Sequence, residues 1–351
     1  MRPDQISAQE HHTRLYATID HLLHPGKGIL AADESTKSAN ARLEALHLPV
    51  NEETRRNWRH LLFTTPNLND FISGVILYDE TIHQSTDDGV GFPKYLMSKG
   101  IIPGIKVDMG LVDLTNFPGE KITEGLDGLD KRLAEYARLG ARFAKWRAAF
   151  TIGPTTPTEA AIHANGNVFG RYASICQSHG IVPIIEPEVI YDGPHSLEQA
   201  EHTTTRVLAT TIEIVRAYRV DLRGVIIKTS FVLAGKANPH QSTADEVGAA
   251  TLRSLKAAVP PEVGAVVFLS GGQSPTQASA NLNALSLAGK QAWPITFSFS
   301  RAVQDPAMKA WLGKAKNVAE AQKIFYHRLA CNSAARAGEY RASMEIFTPK
   351  S

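Results

Sequence analysis

Charged side chains close a series of apolar, strand-like runs in this sequence, and they are of the types that carry out carbonyl chemistry. The run at 223–230 reads RGVIIKTS, apolar through its centre with one lysine, Lys228, near its far end. Free lysine, with a pKa of about 10.4, is deprotonated to roughly 0.04% at pH 7. In a low-dielectric site beside other cations, a lysine becomes neutral enough to attack a carbonyl carbon. The bland alternative is a lysine whose long stem carries its ammonium out of a core strand to water.

Other runs end in the same manner, with Asp33, with Lys106 and Asp108, with Lys145 and Arg147, with Glu186 and Glu188, with Ser270, and with Arg301. Strand residues two apart project to one side, so 106/108, 145/147 and 186/188 each aim a pair of charges in one direction. Lys145 beside Lys228 would favour the neutral amine by like-charge repulsion. Glu186 suits a general acid and base for forming and dehydrating a carbinolamine, with Glu188 orienting it and Asp33 accepting a hydroxyl proton. The glutamates also suit structural ion pairs with Lys145 or Arg147, and the two readings are compatible. Ser270, Gly271 and Gly272 follow the seventh run, while Ser300 and Arg301 follow the eighth. Small residues admit a phosphate to the main chain and arginine supplies a bidentate charge. Ser35, Lys37, Ser38 and Arg42, expected on the opposite side of the mouth, could hold a second phosphate, although either serine could simply cap a helix.

The elements that must position these groups are eight runs, at 28–33, 73–79, 102–108, 141–147, 181–188, 223–230, 263–269 and 293–301. Helical patterns separate them. Thr156-Pro157-Thr158-Glu159 predicts a capping box with proline at the first helical position, and Thr243 to Glu246 and Ser274 to Gln277 predict two more helix starts. The stretch from Asp108 to Gly125 reads as a Gly/Pro-rich loop. Strands alternating with helices imply parallel pairing through crossovers, and eight strands close a barrel. No GxGxxG or GxxxxGK[ST] element supports an open nucleotide-binding sheet. The expected fold is α/β: one (β/α)8 TIM barrel domain over residues 1–351, with an N-terminal helical arm at 1–24, a C-terminal helix and a polar tail at 339–351.

The chain has 351 residues, 43% of them hydrophobic, and a formal charge of +2, which is too small to imply nucleic-acid or membrane partners. Cys176 and Cys331 have neither disulfide-framework nor metal-ligand spacing, so no metal or other cofactor and a cytoplasmic setting are expected. His11, His12, His21 and His24 accompany the polar face of the arm and read as solvated rather than as ligands. The polar start at 1–9 lacks the apolar core of a signal peptide, and no run of eighteen apolar residues occurs.

The motifs GILAADEST (28–36), GIKVD (104–108), FAKWR (143–147), RYASICQ (171–177), GIVPIIEPE (180–188), IIKTS (226–230) and FLSGGQS (268–274), with the stretch around Arg301, resemble class I fructose-1,6-bisphosphate aldolases in family order. The resemblance implies a metal-independent, cytoplasmic, homotetrameric enzyme of glycolysis and gluconeogenesis. Such an enzyme cleaves fructose 1,6-bisphosphate to dihydroxyacetone phosphate and glyceraldehyde 3-phosphate through a lysine Schiff base. Lys228 matches the Schiff-base lysine and Glu186 the dehydration acid and base. Asp33 and Lys145 match the other catalytic positions, with Glu188 beside them. Ser270, Gly271 and Arg301 match one phosphate site, and Ser35, Ser38, Arg42, Lys106 and Arg147 match substrate-binding positions. Ser300 and Lys37 stand where the family often has glycine. The sequence at 347–351 lacks the terminal tyrosine that many animal and plant members use for proton exchange on the enamine. Same-chemistry aldolases with another phosphorylated substrate, and a scaffold role beside catalysis, are both compatible with these residues.

Overall fold

The computed structural model describes residues 8–289 and 291–346. Its first half runs α1 (Ala8–Leu22), β1 (Gly28–Ala31), α2 (Thr36–Glu44), α3 (Glu52–Phe63), β2 (Ile72–Leu77), α4 (Asp79–Ile82), α5 (Phe92–Ser98), β3 (Ile102–Lys106), β4 (Gly110–Asp113), β5 (Lys121–Glu124), α6 (Leu129–Leu139) and β6 (Phe143–Phe150). The second half continues with α7 (Glu159–Ser178), β7 (Val182–Val189), α8 (Leu197–Ala217), β8 (Ile226–Thr229), α9 (Ala244–Ala258), β9 (Ala265–Phe268), α10 (Pro275–Leu287), β10 (Ile295–Phe297), α11 (Arg301–Trp311) and α12 (Val318–Ala337). Eight strands form one parallel sheet in the order β1-β2-β3-β6-β7-β8-β9-β10. The sheet closes where the Ala31 N–H donates to the Phe299 carbonyl at 3.0 Å. The fold is therefore the TIM barrel that the alternating pattern implies.

Alternation along each strand divides the apolar residues between two layers. Outward-facing side chains such as Trp146, Ile185, Ile227, Val266 and Phe268 pack beneath the surrounding helices. Inward-facing Ile29, Ile76, Phe143, Val182, Ile184, Ile226 and Val267 fill the lower barrel, where Leu15, Ile19 and Leu22 of α1 join them. The N-terminal helix therefore closes the end of the barrel away from the charged strand ends. Its histidines go to separate partners: His12 Nδ1 lies 3.1 Å from Asp221 Oδ2, and His21 Nε2 lies 2.9 Å from the Gly100 carbonyl. Residues 1–7 of the arm and 347–351 of the tail lie outside the described residues. Among the described residues no helix is long and apolar enough to cross a membrane.

Helix starts follow local chemistry. Ser196 with Gln199 and Thr243 with Glu246 form reciprocal capping boxes, and Ser274 accepts from the Gln277 N–H with Pro275 in the first turn. The start of α7 differs from expectation, because the cap is Thr158 rather than Thr156 and Pro157 precedes the helix. The buried Glu120 carboxylate accepts from both the Thr158 N–H at 2.7 Å and its hydroxyl at 2.6 Å, a long-range tie that fixes the cap there. Residues 108–125 are likewise not a plain loop but an antiparallel hairpin of β4 and β5. Its turn passes through Asn116 and Gly119 at positive φ, and Thr123 anchors it by donating to the Arg147 carbonyl at 2.7 Å. The eighth run ends early as well, since β10 stops at Phe297 and Arg301 opens α11.

Phe143 shows how tightly the lower layer is packed. A Cβ on Gly104 would lie 2.3 Å from its ring, closer than atoms can approach. Overpacking of this kind costs about 1–3 kcal/mol. Gly104→Ala is therefore expected to lower urea stability by about that amount, and Phe143→Leu in the same chain should recover part of the loss. Additive effects of the two substitutions would show that the ring is not what excludes the methyl group.

Candidate active site

Continuing each inward row upward replaces apolar side chains with charges. The row 29, 31 leads to Asp33, 143 leads to Lys145 and Arg147, 182 and 184 lead to Glu186 and Glu188, and 226 leads to Lys228. Pairing in register aligns Lys106 with Lys145 and Arg147 with Glu186. Lys145 lies at the centre, its Nζ 2.7 Å from Asp33 Oδ2 and 3.1 Å from Glu186 Oε2. Lys228 Nζ lies 3.4 Å from the other Glu186 oxygen. The two ammoniums are thus bridged by a carboxylate, where the sequence suggested direct repulsion between them. Lys106 Nζ pairs with Asp108 Oδ1 at 2.7 Å, and Arg147 Nε with Glu188 at 2.5 Å. All four of Asp33, Lys145, Glu186 and Lys228 are buried.

Burial alone would neutralise these groups, so their charge states depend on one another. Burial favours protonated Asp33, but Lys145, Lys228 and Lys106 outweigh it and bring its pKa down to about 2. Glu186 is lowered by the same contest between burial and the charges of Lys145 and Lys228. Lys145 is raised, because Asp33, Glu186 and Asp108 overcome the desolvation that would strip its proton. Arg147 is raised by Glu188 against burial. Glu186 Oε2 nevertheless has no well-directed hydrogen bond, despite its short distance to Lys145. A buried carboxylate oxygen in that condition can receive a donor from a molecule entering the mouth.

The groups expected to bind anions lie beside this cluster. Gly271 and Gly272 turn with φ of +52° and +86°, conformations that favour glycine, and the Arg301 guanidinium passes close to Gly272. Arg301 is exposed and has no ion pair among the described residues, and it stands at the first position of α11, where backbone N–H groups point outward. Ser35 caps α2 by accepting from the Ser38 N–H at 3.3 Å, and the two hydroxyls lie 3.2 Å apart, so the capping role is realised and both oxygens remain at the rim. Because β1 and β10 are neighbours in the closed sheet, Ser35 and Ser38 stand on an adjacent side from Arg301, not the opposite one.

Arg42 turns toward α11. Its Nη1 donates to Glu34 at 2.5 Å and to Gln304 at 3.0 Å, and its Nη2 to Asp305 at 2.8 Å. Glu34 also accepts from Arg59 at 2.8 Å and from the Ser300 hydroxyl at 2.8 Å. Its pKa is lowered, with burial opposed by the two arginines. Ser300, standing where the family often has glycine, thus uses its hydroxyl to tie the start of α11 to the end of β1. Sequence reasoning missed Glu34, Arg59, Gln304 and Asp305, and gave Asp108 no role. Only the charge of Glu34 beside Asp33 offered a local signal; Gln304 is fully buried on a helix whose partner surface is encoded some 260 residues away.

Comparison with known proteins gives concordant results. The family model described as fructose-bisphosphate aldolase class-I matches residues 14–350. "Fructose-bisphosphate aldolase 2" of Caenorhabditis elegans is 47% identical over 320 residues, 91% of this chain and 87% of that one. "Probable fructose-bisphosphate aldolase class 1" of Xanthomonas campestris is 46% identical over 93% of this chain and 98% of its own. A fructose-bisphosphate aldolase from Plasmodium falciparum, solved in complex with TRAP and a small-molecule inhibitor, superposes with a TM-score of 0.94. It shares 43% identity over 97% of this chain and 98% of that one.

The charge network makes stability depend on acid. The folded pKa of Asp33, about 2, lies below its ordinary 3.8. Its contribution, about 2 kcal/mol, is complete above pH ~4 and lost as pH falls toward ~2. Asp33→Asn should lower stability at pH 7, because Lys145 loses a buried partner, and should flatten the stability–pH slope between about 4 and 2. Chemical denaturation across that range tests this, and an unchanged slope would count against it.

Proposed function

Because the chain belongs to the class-I fructose-bisphosphate aldolase family, we propose that Lys228 is its Schiff-base lysine, with Glu186, Asp33 and Lys145 carrying the proton transfers. The enzyme is a lyase that reversibly cleaves fructose 1,6-bisphosphate to dihydroxyacetone phosphate and glyceraldehyde 3-phosphate through a Schiff base. The observation that best supports the residue roles is Glu186, a buried carboxylate set between Lys145 and Lys228 with one oxygen still short of a hydrogen bond.

In this reading Lys228 passes its proton to Glu186 and its Nζ attacks the ketone carbon; the N–C bond forms as the C=O π pair moves to oxygen, and a proton passes from the nitrogen to that oxygen to give the carbinolamine. Glu186 then protonates the departing hydroxyl, water leaves, and an iminium remains. Asp33, kept ionised by Lys145, takes the proton from the C4 hydroxyl. The C3–C4 electron pair flows into the iminium as the aldehyde separates, leaving an enamine on Lys228. Protonation of its carbon and hydrolysis release dihydroxyacetone phosphate. Lys145, whose proton is held by Asp33 and Glu186, keeps positive charge beside both bases throughout. Glu188 holds Arg147 at the rim, and Lys106 is held by Asp108.

Ser270, Gly271, Gly272, Ser300 and Arg301 hold one phosphate through main-chain N–H groups and the free guanidinium. Ser35 and Ser38 face the other phosphate, with Lys106 and Arg147 as further rim cations. A cytoplasmic enzyme is supported by two buried, unpaired cysteines, Cys176 and Cys331. A homotetramer is supported by the exposed apolar side chains of Met109, Leu111 and Val112 on and beside the hairpin. Sedimentation equilibrium should then give the mass of four 38.2 kDa chains.

Borohydride reduction in the presence of dihydroxyacetone phosphate and a chelator should leave a covalent adduct, and peptide mass mapping should place it on Lys228. Lys228→Ala should form none, and Glu186→Gln should lower kcat by roughly 10²–10⁴. An adduct on a different lysine would overturn the assignment. Cleavage of fructose 1,6-bisphosphate should exceed that of fructose 1-phosphate, and equal rates would argue against a second phosphate anchor.

A further inference from the structure

Two arginines, Arg301 on α11 and Arg42 on α2, differ in one respect. Arg301 has no ion pair among the described residues, whereas all three hydrogen bonds of the Arg42 fork go to groups within the protein. Those three acceptors are not equivalent. Glu34, whose side chain is 10% exposed, is locked by Arg59 and Ser300 as well, and Gln304 is fully buried. Asp305 makes a single contact to Arg42 Nη2, and its side chain is 41% exposed.

Asp305 lies four residues after Arg301, one turn along α11, and so on the same face of that helix. It borders a surface cleft with Gly272, Gln273, Ser274 and Lys309, and that cleft opens beside the phosphate loop. Asp305 thus touches both: its Oδ1 lies 2.8 Å from Arg42 Nη2, and it shares the border of the cleft with Gly272 of the expected phosphate loop. We propose that Asp305 is an internal anion that competes with the substrate phosphate for Arg42 and thereby sets how tightly this chain holds phosphorylated ligands. The inference rests on the reading that the Gly271–Gly272–Arg301 loop binds phosphate.

The exchange conserves charge pairing. Before binding, Arg42 faces Glu34 and Asp305. On binding, its Nη1 contacts to Glu34 and Gln304 remain, and Nη2 moves from a carboxylate exposed to water to a phosphate oxygen. Water reaches this pair from the Asp305 side, which weakens it, and phosphate accepts strong charge-assisted bonds from arginine, so the substrate can win while its affinity is reduced. A surface pair in the usual range corresponds to about a two- to fivefold change in binding.

The test uses inorganic phosphate as the probe, read as its inhibition constant against fructose 1,6-bisphosphate cleavage, together with KM. Asp305→Asn and Asp305→Ala should each lower both constants about two- to fivefold, while Asp305→Glu, which keeps the charge, should restore values near the starting ones. In an Arg42→Met background Asp305→Asn should have no further effect, because no guanidinium remains to be released. Tightening that persists in that background would show a general charge effect and overturn the competition, as would no tightening in either neutral variant. Arg301→Met separates the premise: if it leaves phosphate inhibition unchanged, the phosphate-site reading itself fails. If it weakens inhibition while the Asp305 variants change nothing, only the competition fails.

Discussion

The structure depends on charge balance in a place that water scarcely reaches. Four cations, Lys106, Lys145, Arg147 and Lys228, stand at the barrel mouth against four carboxylates, Asp33, Asp108, Glu186 and Glu188. Removing Glu186 would leave Lys228 buried without its carboxylate, which typically costs more than the intact pair contributes. The same balance holds Asp33 and Glu186 ionised against burial and keeps the proton on Lys145. Bases that stay charged in a low-dielectric site act on a substrate without first reorganising water.

The barrel makes this balance possible by dividing labour along its axis. The lower part is apolar and closed by α1, so the charged layer rests on a packed floor in which a single methyl group added at Gly104 would collide with Phe143. Rigid strands then fix the charged side chains to within hydrogen-bonding distance of one another. The hairpin of β4 and β5 adds a further constraint from above, because Thr123 ties it to the Arg147 carbonyl and so to the strand that carries Lys145.

A second, separate network spans the closure of the barrel. Glu34, Arg42, Arg59, Ser300, Gln304 and Asp305 join the end of β1 to the start of α11 across the seam where the barrel closes. Ser300 donates to Glu34 and becomes part of the seam. Every hydrogen bond of the Arg42 fork therefore goes to a group at this seam, two of them on α11, and none goes to the lysines at the barrel mouth.

By itself the sequence determined the order of the eight barrel strands, the helix starts at Thr243 and Ser274, and the parity that aims Asp33, Lys145, Glu186 and Lys228 into one mouth. These follow from local rules, since period-two alternation and capping chemistry act within a few residues. It did not determine the hairpin at 110–124, the cap at Thr158, or the neighbourhood of Ser35 and Arg301, because each depends on contacts between distant segments. Glu120 reaches Thr158 across 38 residues, and Arg42 reaches Asp305 across 263. Charges have no periodicity that names their partners, so which carboxylate meets which cation was decided only when the first and last strands of the barrel came together.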